Sequence, residues 1–339
     1  MLRAMRLLRF HFLLAGLGLL APLAGAPSIL WSVPSTVKDD SAFDDIHLAW
    51  LNDDELIALR RGTLTGRYHC AFKTKTWEKK IPGIRGFAAS PRALFFVRED
   101  PELVLEERDP GDGTVQRKWT SDALGGLAKS DSMTLDELEW LPKDGILAVE
   151  TLGSPGSKVW MFDPRQAKFK GSVRLDGYLH EASAAGDRLV WQDKAGVLRW
   201  STPGGSEGTE VWDSGLGEGG DDYPRMLAYQ VRVDGGFVAV LDNGGWQGGA
   251  RLFSREGKEG KVVMSAVTRN LQAVAIEGSR VWATESKTGW FGVLDLSGKV
   301  VAEAEKLLPP YCWEIAIAPS AKRAAVVDQQ GTLWFIDVP

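Results

Sequence analysis

Cysteine and histidine are scarce in this chain, with 2 Cys and 4 His among 339 residues. Two cysteines exclude a disulfide framework, and four histidines leave little for a histidine-rich metal centre. Basic charge is not in excess either: 40 Lys+Arg stand against 45 Asp+Glu, a net charge of −5. Phosphate neutralisation needs a basic surface, so this composition excludes a nucleic-acid partner. Beyond the amino terminus there is no long hydrophobic run, and no long stretch has the composition of a disordered segment. What is abundant is 38 Gly, 16 Pro and 14 Trp with 44% hydrophobic residues, enough for a large, turn-rich interior.

Residues 1–26 carry Arg3, Arg6 and Arg9 and no acid, then an apolar stretch from Phe12 to Leu23, then Ala24-Gly25-Ala26. This order predicts a cleaved secretory signal peptide. A membrane anchor would need about 20 continuous apolar residues, whereas Gly16, Gly18 and Pro22 interrupt this run. No cysteine near the cleavage site offers a lipid attachment point. The expected mature protein is one domain over 27–339, periplasmic or extracellular, without stable transmembrane anchoring. Removing three arginines and no acid takes its net charge from −5 to −8.

Short apolar runs recur through the rest of the chain: 55–61, 92–98, 145–151, 188–194, 236–242, 280–286 and 323–329. Their starts lie 37 to 53 residues apart, with a mean near 45. An extended segment precedes each, as in 135–141, 271–277 and 313–319, and a third strand follows most, as in 103–108, 158–163 and 291–296. Four short strands per repeat of this length mark propeller blades. A helical solenoid would show a 3.6-residue period over ten or more positions. A sheet with one wet face would alternate apolar and polar residues, whereas these middle runs are apolar throughout, as packing on both faces requires. The fold predicted is all-β: a seven-bladed β-propeller of four-stranded antiparallel blades, with a pair of β-sandwiches as the alternative.

The seventh unit supplies only three strands before Pro339, while residues 28–34 after the predicted cleavage site form a spare strand. The amino-terminal strand is therefore expected to complete the last blade, so that the ring has no open seam.

The turns between third and fourth strands repeat a pattern of Asp, a Gly-containing turn, β-branched residues and often Trp, as at 108–120, 200–213 and 294–302. Asp and Gly favour the tight turn, and a fourth-strand Trp fills space between blades; Trp31, Trp77, Trp119 and Trp212 hold that place, with Phe169 and Val300 replacing it elsewhere. This pattern resembles the repeat of pyrroloquinoline-quinone-type propellers, within a superfamily that includes WD40-like and YVTN-type propellers. The resemblance implies the propeller fold over most of the chain, and a function among quinone dehydrogenases, outer-membrane assembly scaffolds and binding modules. The quinone dehydrogenases use adjacent cysteines, a calcium site and stacking tryptophans, and adjacent cysteines are absent here.

In a meander, the inter-blade connection and the loop between strands two and three share one face. The long connections 38–46, 121–134 and 213–225 all fall there, as do 98–102, 150–158, 242–250 and 284–290. Binding residues concentrate on loops held by a rigid scaffold, so a partner is expected on this face. It carries Asp44, Asp45, Asp131, Asp221, Asp222, Tyr223, Arg225, Asp242, Asn243, Trp246 and Trp290. Trp246 and Trp290 occupy equivalent loops of adjacent blades, either as an aromatic platform for a sugar or peptide or as covers for the blades beneath. Asp221 and Asp222 with Tyr223 offer oxygens to a calcium ion, although no Asp-x-Asp-x-Asp-Gly spacing occurs. His180 beside Glu181 is a His–acid pair of the kind used in general base catalysis; a backbone-satisfied histidine is the other reading. His47 and His69 have no such partner beside them.

No Gly-x-Ser-x-Gly elbow is present. The function expected is a non-catalytic, secreted or periplasmic propeller that binds a protein or glycan through its long-loop face and holds no cofactor. The alternative is a metal-dependent hydrolase or lactonase with its site in the central channel. Cys70 and Cys312 fall in neighbouring blades but at unlike depths, so free thiols are expected over a bridge.

Overall fold

A computed structural model describes residues 25–35, 46–60, 64–99, 102–127, 134–153, 156–183, 186–193, 195–205, 208–214, 226–243 and 248–338. Residues 1–24 of the predicted signal segment 1–26 lie outside them, and no described helix is long and apolar enough to cross a membrane.

Among the described residues, twenty-eight strands form seven four-stranded antiparallel sheets. Blades 1 to 6 span 47–80, 84–120, 134–175, 177–213, 226–267 and 271–304, each pairing its strands in chain order. Blade 7 takes three strands from 312–337 and its outermost from Ser28–Val33. The predicted closure is therefore the observed one, with Ser28 paired to Asp337 and Val33 to Leu333.

Seven hydrophobic clusters fill the seven spaces between neighbouring blades. The reason lies in the strand period of two. In the second strand of blade 1, Leu56 and Ala58 join the cluster shared with blade 7, while Ile57 and Leu59 join the one shared with blade 2. All four are fully buried, which is why the run is continuously apolar rather than alternating.

The fourth-strand tryptophans act across these spaces. Trp212 stacks on Phe237 of the next blade at 5.0 Å, and Trp119 meets Phe162 edge-on at 5.1 Å. Trp77 donates from its indole to the carbonyl of Pro110 at 3.0 Å. Such aromatic pairs contribute roughly 0.5–1.5 kcal/mol each beyond their area. Bulges recur beside these positions, with one residue skipped on the outer strand in every blade but the fifth.

A buried cation reinforces the seam between blades 7 and 1. Arg60 has no exposed surface. It donates to the carbonyls of Val33 at 3.0 Å and Gly331 at 2.9 Å, to Tyr68 Oη at 2.8 Å and to Glu78 Oε2 at 2.6 Å. The first two partners lie in blade 7 and the last two in blade 1.

Two sequence expectations need correction. Segment 150–158 is mostly strand, since the blade 3 strands run through Gly153 and resume at Gly156, and these two residues pair with each other. Nor are the longer loops confined to one face: 256–262 joins the third and fourth strands of blade 5 on the opposite side. Cys70 and Cys312 are free and buried. Cys70 packs in the space between blades 7 and 1, and Cys312 in that between blades 6 and 7.

Candidate functional site

The innermost strands begin at the face that carries the inter-blade connections, so their first residues ring the mouth of the central channel. In six of the seven, pairing with the second strand skips at least one residue, near this end in all but blade 4, where the skip falls past the middle of the strand. The skipped residues are Arg85, Asp136, His180, Leu227 and Trp313, with Gln272 and Ala273 in blade 6. A bulge bends its strand and re-aims the side chain of the extra residue, and bulges are over-represented beside active sites. The blade 1 strand, His47–Trp50, pairs without a skip.

Blade 7 carries the most distinctive part of this mouth. Trp313 is 42% exposed and Tyr311, two residues earlier, is 41% exposed. Tyr311 has φ +61°, a conformation that costs an L-residue roughly 1–2 kcal/mol. Its backbone is held from both sides: its N–H donates to the carbonyl of Ser286 at 2.9 Å, and its carbonyl accepts from Gln329 N–H at 2.8 Å. Strain of this kind persists only where the surroundings over-determine it, and it concentrates at functional positions.

Two titratable groups stand on the same strands. Glu314 is half-buried, and desolvation pushes its carboxyl up to about 8. The His47 ring lies 6.3 Å from that of Phe87, and burial lowers it to about 4. For Glu314, the folded state prefers the protonated form. Its contribution is therefore complete below the ordinary carboxylate range and is lost as pH rises towards about 8. Glu314→Gln, which keeps a neutral side chain, is expected to raise Tm relative to the parent at pH 9 and leave it unchanged at pH 4. Thermal melts of both proteins across that range check the sign, and parallel curves would refute the assignment.

Of the residues expected from sequence, Asp221, Asp222, Tyr223, Arg225 and Trp246 lie outside the described residues, as do Asp44, Asp45 and Asp131. His180 is the skipped residue of the blade 4 inner strand, Gly177–Ala182. Asp242 closes the second strand of blade 5, half-buried, opposite Ala250. Asn243 fastens its own loop, donating from Nδ2 to the carbonyl of Gly248 at 2.7 Å and from its N–H to that of Gly249 at 3.3 Å.

Trp290 is not an open platform. It is fully buried, its Nε1 donates to Glu303 Oε2 at 2.7 Å, and Arg269 stacks over it at 4.8 Å. The cause is Gly292, where an added Cβ would fall 2.0 Å from the Trp290 ring, so the indole lies flat on the third strand. The aromatic residues that do reach solvent at the mouth, Tyr311 and Trp313, read in the sequence as the start of an apolar strand.

On the opposite face, Asp53, Asp54, Ser320, Lys322, Arg323 and Asp337 line a cleft of about 280 Å³ at the blade 7/1 seam. Arg323 pairs with Asp54 and donates to the Asp53 carbonyl at 3.0 Å, while Asp53 Oδ1 accepts from Ser320 N–H at 2.6 Å. These carboxylates are engaged in tying the two blades together. Among the described residues, no three His, Cys, Asp or Glu side chains converge as a metal site.

No protein-family model matches this chain, and no curated protein matches it. Among solved structures, the WD40 domain of Pan2 from Neurospora crassa superposes with a TM-score of 0.66. The match covers 93% of this chain and 96% of that one at 11% identity. The likeness shows a common WD40-type propeller fold and extends no further than fold.

Proposed function

We propose that this propeller is a non-catalytic binding module that holds a protein partner at the channel mouth on its long-loop face. The exposed pair Tyr311 and Trp313 on a strained, doubly anchored backbone carries the reading. Aromatic side chains at the centre of a concave surface are the usual anchors of protein recognition. Strain retained at an exposed tyrosine favours a role in binding over one in stability. The sequence signature of residues 1–26 supports an encounter in the periplasm or outside the cell. The Asp-Gly turns and outer-strand tryptophans support kinship with quinone-type propellers as a repeat architecture.

Substitution separates stability from binding here. Tyr311→Gly is expected to stabilise the fold by about 0.5–1 kcal/mol, because glycine adopts positive φ without strain, while weakening partner capture. Trp313→Ala is expected to leave Tm within a degree or two and abolish capture. A photo-cross-linking residue at position 313, compared in cells with one at Phe72 on the opposite face, reads the contact directly. Partner adducts from 313 and none from 72 are expected. Adducts from position 72 alone, or none from either, would overturn the assignment of the face.

A further inference from the structure

The rim of the ring presents seven outer strands, and one of them is unprotected. An edge strand accepts another strand unless bulges or charges prevent it. Six outer strands are bulged. The outer strand of blade 5, Val263–Val267, pairs residue for residue with the third strand through five consecutive partners. Its sequence, VMSAV, contains no charge. Val263 is 54% exposed and Met264 58%, so a large apolar side chain stands exposed on each face of this open edge. The outer strand of blade 7 is also uncharged but is bulged at Leu30.

We propose that this edge docks a second copy of the chain, the two strands pairing antiparallel about a two-fold axis at Ser265. In that register Val263 faces Val267 of the second copy and Met264 faces Ala266. Valine meets valine, the long methionine meets the small alanine, and no like charges oppose each other within the strand. The flanks are complementary as well. Lys261 comes opposite Arg269 of the second copy, whose guanidinium is already held by Glu285, Glu303 and Glu305 at 3.4, 3.3 and 2.6 Å. One cation among three carboxylates leaves net negative charge to receive the lysine. The blade 6 turn at Gly298 lies beside the edge, where an added Cβ would fall 3.3 Å from Ser265 Cβ and 3.4 Å from the Ala266 carbonyl oxygen, so the contact is confined to the strand and this flank. This match of the strand to itself in size and charge favours a second copy over an unrelated strand. An interface of one short strand is below the size of stable dimers, which sets the dissociation constant on the order of 10–100 μM.

Sedimentation velocity on the purified protein tests this. The sedimentation coefficient is expected to rise from monomer to dimer as concentration passes through tens of micromolar. Val263→Lys combined with Met264→Lys is expected to raise the dissociation constant about tenfold or more. Both side chains are exposed, and an unchanged melting curve verifies that the variant is folded. Ser265→Cys is expected to form a disulfide-linked dimer on mild oxidation. Facing Cα atoms of an antiparallel pair lie about 4.5–5.5 Å apart, within disulfide range, and the native Cys70 and Cys312 are buried. Val233→Cys, at an exposed turn of the same blade, should form no such link. A protein that stays monomeric and uncross-linked at all concentrations would overturn the proposal. So would a dimer indifferent to the two lysines, or an edge that takes up only extended peptides of other sequence.

Discussion

Arg60→Ala is expected to destabilise the protein by about 3 kcal/mol or more, because removing one member of a buried ion pair leaves the other uncompensated. Glu78 is 8% exposed at its side chain and loses its 2.6 Å partner, though Lys75 at 2.8 Å remains. The carbonyls of Val33 and Gly331 lose their donor at the same time, and each buried polar group left unmade costs about 1–3 kcal/mol. Arg60→Lys should recover only part of the loss, since a single ammonium cannot reach four acceptors that a planar guanidinium spans. Urea unfolding of the three proteins measures this. An alanine variant with the parent's midpoint would show that the seam does not depend on Arg60.

Deletion of residues 27–36 is expected to have the larger effect, on the order of 5 kcal/mol, with aggregation on warming. The deleted strand supplies Leu30, Trp31 and Val33 to the cluster between blades 7 and 1, each partly buried apolar side chain contributing on the order of 1–2 kcal/mol. Trp31 stacks on Phe335 at 5.2 Å. Its loss would also bare the 333–337 strand as a new edge. A permuted chain that begins between 37 and 45 and joins 339 to 27 through a short turn provides the control. Ser28 already faces Asp337 in an antiparallel pair, so the junction becomes an ordinary hairpin and the permutant should retain the parent Tm. A truncated protein as stable as the parent would refute a sealing role for this strand.

Much of this architecture was legible beforehand because blade packing writes itself into local sequence. A strand buried on both faces must be apolar at every position, as at 56–59, and seven such runs at regular spacing can hardly describe anything but a ring. The spare strand at 28–34 was readable by counting, since blade 7 was one strand short. The recurring Trp beside an Asp-Gly turn identified the outer strands and their cross-blade role.

The site was much less legible. Trp290 and Trp313 are both tryptophans beside a short loop, and nothing local distinguishes them. What separates them is that Gly292 leaves room for one indole to lie flat and Glu303 satisfies its N–H, while a skipped residue in the blade 7 inner strand re-aims the other. Register shifts and positive φ at a tyrosine have no signature in composition. Neither does the pairing of Arg60 with Glu78, because the need for a buried cation arises only where two ends of the chain meet.

The sequence by itself thus determined the number of blades, their strand order and the way the ring closes, since each follows from periodic burial and strand counting. Tertiary structure decided which aromatic residues face solvent at the channel mouth, which carboxyl is held protonated and which outer edge stands open. Those depend on contacts between residues far apart in the chain and on single-residue slips in pairing, and only the assembled ring creates them.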